Sequence, residues 1–196
     1  MMHKFEYEYR QYVVPYAPPQ GSPFRIIVPD YKVKMVERLA RDTAIAKTVE
    51  DHHQEDNQSE YTRYYTGFIG EAAMEEFLGI DILDYSVGNS NDYNHADLRK
   101  HGLNIGVKTV EPWKFHIVHK NPVRPELICV KRKPNEVLLF GYATVDVLRK
   151  YQTEEFILAK GLKARGTKAA FYGYSELIPI HTLDELKKVY RKYDRG

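Results

Sequence analysis

Apolar positions along this chain recur with two different periods, and each period predicts a different element. From residue 34 to about 49, Val36, Leu39, Thr43, Ala46 and Val49 return at three- and four-residue steps, the signature of a helix with one buried face. A second helix is predicted over residues 63–78. There Tyr64, Tyr65, Phe68, Ile69 and Ala72 form a stripe that Ala73, Phe77 and Leu78 widen around most of the circumference. Gly67 and Gly70 occupy the remaining sector and would let another backbone approach. Glu71 falls at the edge of the stripe and Glu75 between Tyr64 and Phe68, so a buried helix would carry two carboxylates into the interior. Such groups must meet a cation, a hydrogen-bond donor or a wet cavity. A salt bridge to an arginine is the plain structural alternative.

The second period is two. Residues 103–109 alternate, with Leu103, Ile105, Val107 and Thr109 on one face and Asn104, Gly106 and Lys108 on the other. Residues 93–98 read as a preceding strand that carries Asp97, linked by a turn through Lys100, His101 and Gly102. Residues 81–85 suggest a short strand, and residues 88–92 a turn. Glu111 and Pro112 interrupt the alternation, and residues 113–118 resume it. Two apolar runs, 125–131 and 137–143, are joined by Arg132, Lys133, Pro134 and Asn135 as a hairpin.

Residues 145–151 form a brief helix, residues 160–168 a basic glycine-containing loop, and residues 169–174 a last strand. Thr182 and Glu185 are spaced as a capping box that opens a C-terminal helix. Prolines 15, 18, 19, 23 and 29 make the first 30 residues an irregular arm or edge segment. Its tyrosines at 7, 9, 12 and 16 are suited to packing on the domain, with base stacking as the alternative. The expected class is α/β (α+β), a single domain over 1–196. The arm and first helix, residues 1–60, pack on a core at 63–145.

Composition changes this picture in three respects. The 196 residues suffice for one sizeable core, and no apolar run reaches the ~20 residues of a membrane span. The single Cys129 and an N-terminus without a signal-like apolar core fit a cytoplasmic protein. The net charge of +2 conceals an asymmetry: residues 1–96 hold 9 basic against 16 acidic residues, and residues 97–196 hold 20 against 11. An acidic region able to hold a cation beside a basic surface able to meet phosphates is one reading, scattered solvated charge the other. The paired histidines 52 and 53 sit in a polar stretch with no defined ligand spacing.

These parts suggest phosphodiester chemistry. Carboxylates can hold Mg²⁺, which prefers oxygen ligands, and a lysine can orient a metal-bound water and offset growing negative charge. Asp97, Glu71 and Lys108 supply those groups from three predicted elements. The competing readings are a turn role for Asp97 and a solvent-exposed strand position for Lys108. His95 is a candidate phosphate contact or a surface histidine. Lys131, Arg132 and Lys133, with Lys160, Lys163, Arg165 and Lys168, suit phosphate contacts.

Gly70-Glu71, Ala96-Asp97-Leu98 and Gly106-Val107-Lys108-Thr109, with the apolar strands that follow, resemble the PD-(D/E)xK nuclease superfamily in its phage and mobile-element members. The resemblance covers roughly residues 63–145. It implies a restriction-endonuclease-like mixed central sheet flanked by helices, Mg²⁺ or Mn²⁺ as cofactor, and DNA as partner. It also implies no membrane, and is compatible with a homodimer. Where the superfamily pattern has an acid two residues before the lysine, this chain has Gly106. The resemblance implies that such an acid can migrate to the leading helix, making Glu71, then Glu75, the replacement metal ligand. Asn104 and Glu111 are weaker substitutes. The implied activity is metal-dependent DNA cleavage. The alternative is a catalytically silent nuclease fold that binds nucleic acid or a protein.

Overall fold

A computed structural model describes residues 23–47, 59–86, 95–157 and 159–194. The N-terminal tyrosines, His52, His53 and the turn expected at 88–92 lie outside them. Among the described residues there are five helices and two sheets. The helices are α1 (Asp30–Lys47), α2 (Glu60–Leu78), α3 (Val145–Lys150), α4 (Lys160–Ala164) and α5 (Leu183–Tyr193). The strands are β1 (Phe24–Ile27), β2 (Gly106–Val110), β3 (His116–His119), β4 (Glu126–Lys133), β5 (Glu136–Ala143), β6 (Gln152–Thr153) and β7 (Lys168–Phe171).

The larger sheet runs β1-β5-β4-β2 and is mixed: β5 is antiparallel to β1 and β4, whereas β4 and β2 are parallel. The smaller sheet, β3-β7-β6, is antiparallel throughout. The fold is therefore mixed α and β, as expected. Its first core joins α1 and α2 to one face of the larger sheet through Val36, Leu39, Ile69, Ala72, Leu127, Cys129 and Leu139. The second joins Ile128, Val130 and Phe140 to Phe115, Phe171 and Tyr174 of the smaller sheet and its flank. Alternation along β4 sends successive side chains into these two cores in turn.

Several elements follow directly from local chemistry. Ser59 caps α2, its hydroxyl accepting from Thr62 N at 3.2 Å, and Gly79 closes it in the left-handed conformation. Thr182 caps α5 by accepting from Glu185 N, while the Glu185 carboxylate reaches back one residue further than expected, to His181 N. The proline-flanked N-terminal segment becomes the edge strand β1.

Two predicted strands do not form. Residues 81–85 join no sheet; the N–H groups of Ile82 and Leu83 bind the Glu75 carboxylate rather than another strand. Asp97 lies in a turn that leads into a short 3₁₀ segment, Arg99–His101. The basic loop at 160–168 is largely the helix α4 and its following turn. No described helix is long and apolar enough to cross a membrane.

One imidazole links the two sheets. His116 is fully buried; its Nε2–H donates to the Cys129 carbonyl at 2.7 Å, which requires Nδ1 to accept from the Tyr174 hydroxyl at 2.9 Å. Burial lowers its pKa from 6.5 to about 4. The folded value lies below the unfolded one, so the neutral ring's contribution is intact above pH 6.5 and is lost as pH falls toward 4. Urea unfolding should show a loss reaching about 3 kcal/mol by pH 4, at ~1.4 kcal/mol per pKa unit. In His116→Gln, which keeps a donor and an acceptor but does not titrate, the part of that loss above pH 5 should vanish. An unchanged profile would remove His116 from the acid response.

Candidate functional site

The site assembles around the first residues of β2. Helix α2 packs across this strand, and the fit is close: a Cβ on Gly70 would collide with Thr109 Oγ1. Gly67, by contrast, faces open space, so only one of the two glycines marks a close approach. The tight contact at Gly70 seats its neighbour Glu71 beside the strand.

Asp97 is fixed from β2 itself, since the Val107 N–H donates to its carboxylate at 2.5 Å. The turn holding Asp97 is tied to the same stretch by Leu98 N donating to Ile105 O at 3.1 Å. Glu71 and Asp97 line one cavity of about 520 Å³, together with His95, Arg99 and Lys100. His95 is exposed there, with its Nδ1 2.9 Å from the Arg99 guanidinium.

The acid absent at position 106 has a counterpart on the next strand. In the parallel β2–β4 pair, Gly106 stands opposite Glu126. The Glu126 carboxylate lies over the glycine, in the space a side chain at 106 would take. Glu126 is buried, its Oε2 has no hydrogen-bond partner, and Arg124 Nε stands 3.6 Å from its Oε1. Sequence reasoning passed over Glu126, because it looked for a replacement acid on α2 and along β2. The available signal was an acid opening an otherwise apolar strand, where burial needs a reason.

Charge knits these groups together. Burial raises the pKa of Glu71 well above the ordinary range, with repulsion from Asp97 and then Glu75 adding to it and Lys108 opposing. Burial likewise raises Asp97, against the Val107 N–H, Arg124 and Lys108. It also raises Glu126, with Lys108 and Arg124 opposing and Asp97 reinforcing. Lys108 is thus the cation common to all three carboxylates. Lys168, within reach of the Lys108 charge, is pulled down to about 8 by burial, then by the charges of Lys108 and Arg165. Lys168 stands opposite His119 in the β3–β7 pair, and its ammonium meets His119 Nε2.

The remaining candidates separate from this centre. Glu75 receives the N–H groups of Ile82 and Leu83 at 2.8 Å, the Lys32 ammonium at 2.9 Å and the Tyr85 hydroxyl at 3.2 Å. Although burial opposes its charge, these partners outweigh it and lower its pKa. Glu75 is a structural hub whose oxygens are already engaged. The partner is a lysine, where the sequence suggested an arginine.

Glu111 is held by Lys114 at 2.8 Å and Lys131 at 3.3 Å, and Asn104 is exposed. Arg132 and Lys133 lie near the hairpin tip, paired with Glu136 at 3.0 and 3.9 Å. They are roughly 13–17 Å along β4 from the level of Lys108, at ~3.3 Å per residue. Lys160, Lys163 and Arg165 are exposed on and after α4, whose Leu162 shares a cavity wall with Lys108.

Among the described residues, no group of three or more His, Cys, Asp or Glu side chains is drawn together closely enough to hold a metal ion. No family profile, curated protein or solved structure matches the chain.

The Gly106–Glu126 contact has a direct test. Gly106→Ala should destabilise the fold by about 1–3 kcal/mol, the usual cost of overpacking. Glu126→Ala in the same chain should recover most of that loss, giving a coupling above ~0.5 kcal/mol in a double-mutant cycle followed by thermal unfolding. Additive effects would mean the two positions do not share space.

Proposed function

We propose that this chain is a divalent-metal-dependent deoxyribonuclease of PD-(D/E)xK type whose third acid stands on the neighbouring strand as Glu126. The observation that carries this reading is the buried Glu126 carboxylate, its Oε2 without a hydrogen-bond partner, lying over Gly106, two residues before Lys108. The mixed sheet, with α2 across it and the lysine strand at its edge, supports the restriction-endonuclease-like assignment.

The residues suit a hard cation on chemical grounds. Glu71, Asp97 and Glu126 are oxygen donors crowded in a desolvated region, where their mutual repulsion and the orphaned Oε2 call for positive charge. They would hold Mg²⁺ or Mn²⁺; Glu75 would not, since its oxygens already have partners. When bound, the metal supplies Lewis acidity and an acidified water.

The protein's own groups do the rest. Lys108 orients the attacking water and offsets negative charge as it grows on the phosphoryl oxygens. Lys168 and Arg124 flank that position as cations for the neighbouring backbone phosphates, which position the strand without reading its sequence. The second reading is a nuclease-like module that binds DNA without cutting. It is favoured by the absence of a ready-drawn ligand cluster among the described residues.

Cleavage assays with Mg²⁺ or Mn²⁺ distinguish the two. The wild-type protein should nick or cut DNA, and Lys108→Ala should lose at least about a hundredfold in rate while remaining folded. Glu126→Ala should be similarly impaired, and Gly106→Glu combined with Glu126→Ala should regain activity by returning the carboxylate from the adjacent strand. Mn²⁺ should raise the melting temperature of the wild type and not of Glu126→Ala. Salt-sensitive DNA binding with no cleavage under any of these metals would select the silent module instead.

A further inference from the structure

Lys108 lines a second cavity of about 480 Å³, within the ~300–1,000 Å³ range of ligand pockets, which shares no lining residue with the cavity at Glu71 and Asp97. Its walls include Arg63 from α2, Lys108 from β2, Trp113 and Phe115 from the β2–β3 connection, and Phe156 and Leu162 from the segment around α4. Phe115 and Phe156, both on the cavity wall, stack on each other at 4.7 Å with 15° between their planes.

Trp113 is the chain's single tryptophan. It is also the one non-glycine residue with a left-handed backbone among those described, at φ 67°, and 41% of its surface is exposed. A bulky side chain rarely adopts that conformation. Its persistence beside a cavity is the kind of local strain that accompanies function. Thr66 and Thr109 also line the cavity, but their hydroxyl oxygens are buried, and Thr109 Oγ1 is turned against Gly70 of α2.

An apolar slot lined by aromatic side chains, with the cations Arg63 and Lys108 on its wall and the Glu111 carboxylate held by Lys114, has a chemical complement. That complement is a flat aromatic ring attached to a phosphate. We infer that the cavity takes an unpaired nucleobase next to the phosphate facing Lys108. The substrate class is then single-stranded or end-frayed nucleic acid, rather than the interior of a closed duplex. Base pairing would withhold the ring from the slot, whereas a splayed base can stack on aromatic side chains whatever its identity. This inference rests on the proposed nuclease site for its phosphate position, but the slot itself binds without metal.

The test uses the full chain with EDTA present, so that no cleavage occurs. Titration with a short oligothymidylate should quench the Trp113 emission, and a blunt duplex of equal length should bind at least about tenfold more weakly. Trp113→Gly suits the left-handed backbone and should keep the fold. It should weaken binding of a fluorescein-labelled oligothymidylate by about tenfold, the scale of one lost stacked base. Phe156→Leu should weaken it in the same direction.

Equal affinity for strand and duplex with no quenching would overturn the slot and leave the nuclease reading intact, provided Mg²⁺ cleavage persists. Strand-selective quenching without cleavage under any metal would keep the slot and remove the nuclease reading. An apolar dye that fills the cavity and is not displaced by the oligonucleotide would mark a lipophilic site and overturn the nucleobase assignment.

Discussion

An ionised carboxylate taken out of water must be surrounded by donors or cations, or it takes up a proton. That constraint sorts the acids of this protein into two groups. Glu75 and Glu136 lie deep in the structure and each draws several partners: two backbone amides, a lysine and a tyrosine stand around the first, two arginines and a lysine around the second. Glu126 is buried and Glu71 and Asp97 are half-buried along a cavity; Lys108 acts on all three and Arg124 on two, while Asp97 repels both of the others. In the second group Asp97 takes the Val107 N–H and Glu126 fills the space over Gly106, although clusters of buried charge are often no more stabilising than well-packed apolar side chains.

What forces the three acids together is backbone geometry. Gly70 lets α2 close onto Thr109, which carries Glu71 to the strand. The Val107 N–H, which faces no partner strand at the sheet edge, is taken by Asp97. Parallel pairing of β2 with β4 sets Glu126 level with Gly106, and the missing side chain leaves room for its carboxylate. Each acid thus arrives from a different element, and β2 is the contact they have in common. Because the two cores lie on opposite faces of the larger sheet, its β2 edge is where groups from both sides can meet around Lys108.

Four of the five described helices and the hairpin are readable because their signals are local, whereas α4, short and rich in lysine, reads as a loop. Period 3.6 marked α1 and α2, a capping box marked α5, and Pro-Asn between two apolar runs marked the β4–β5 turn. Alternation over 103–109 correctly gave the buried face, with Leu103 and Ile105 in the core and Val107 packed against it. Asp97 was placed on a strand because an acid followed by leucine before a clear strand looks like a hairpin arm. Its backbone is instead a turn, held by the long-range bonds of Leu98 to Ile105 and of Asp97 to Val107. Glu75 looked exceptional from helix phase alone. Its partners, Lys32 in α1 and the amides of 82 and 83, come from segments whose position no local pattern gives.

Glu126 shows the same limit from the other side. A motif search along the chain tests residues near Lys108, but strand pairing brings in a residue twenty positions past Gly106 and sets it beside the glycine. Glycine at 106 and glutamate at 126 are therefore one feature seen at two places. A side chain at 106 would displace the carboxylate, and without the carboxylate the glycine would face an empty space in a packed interior. The glycine that looks like a lost acid in one dimension is, in three, the condition for an acid supplied by the adjoining strand.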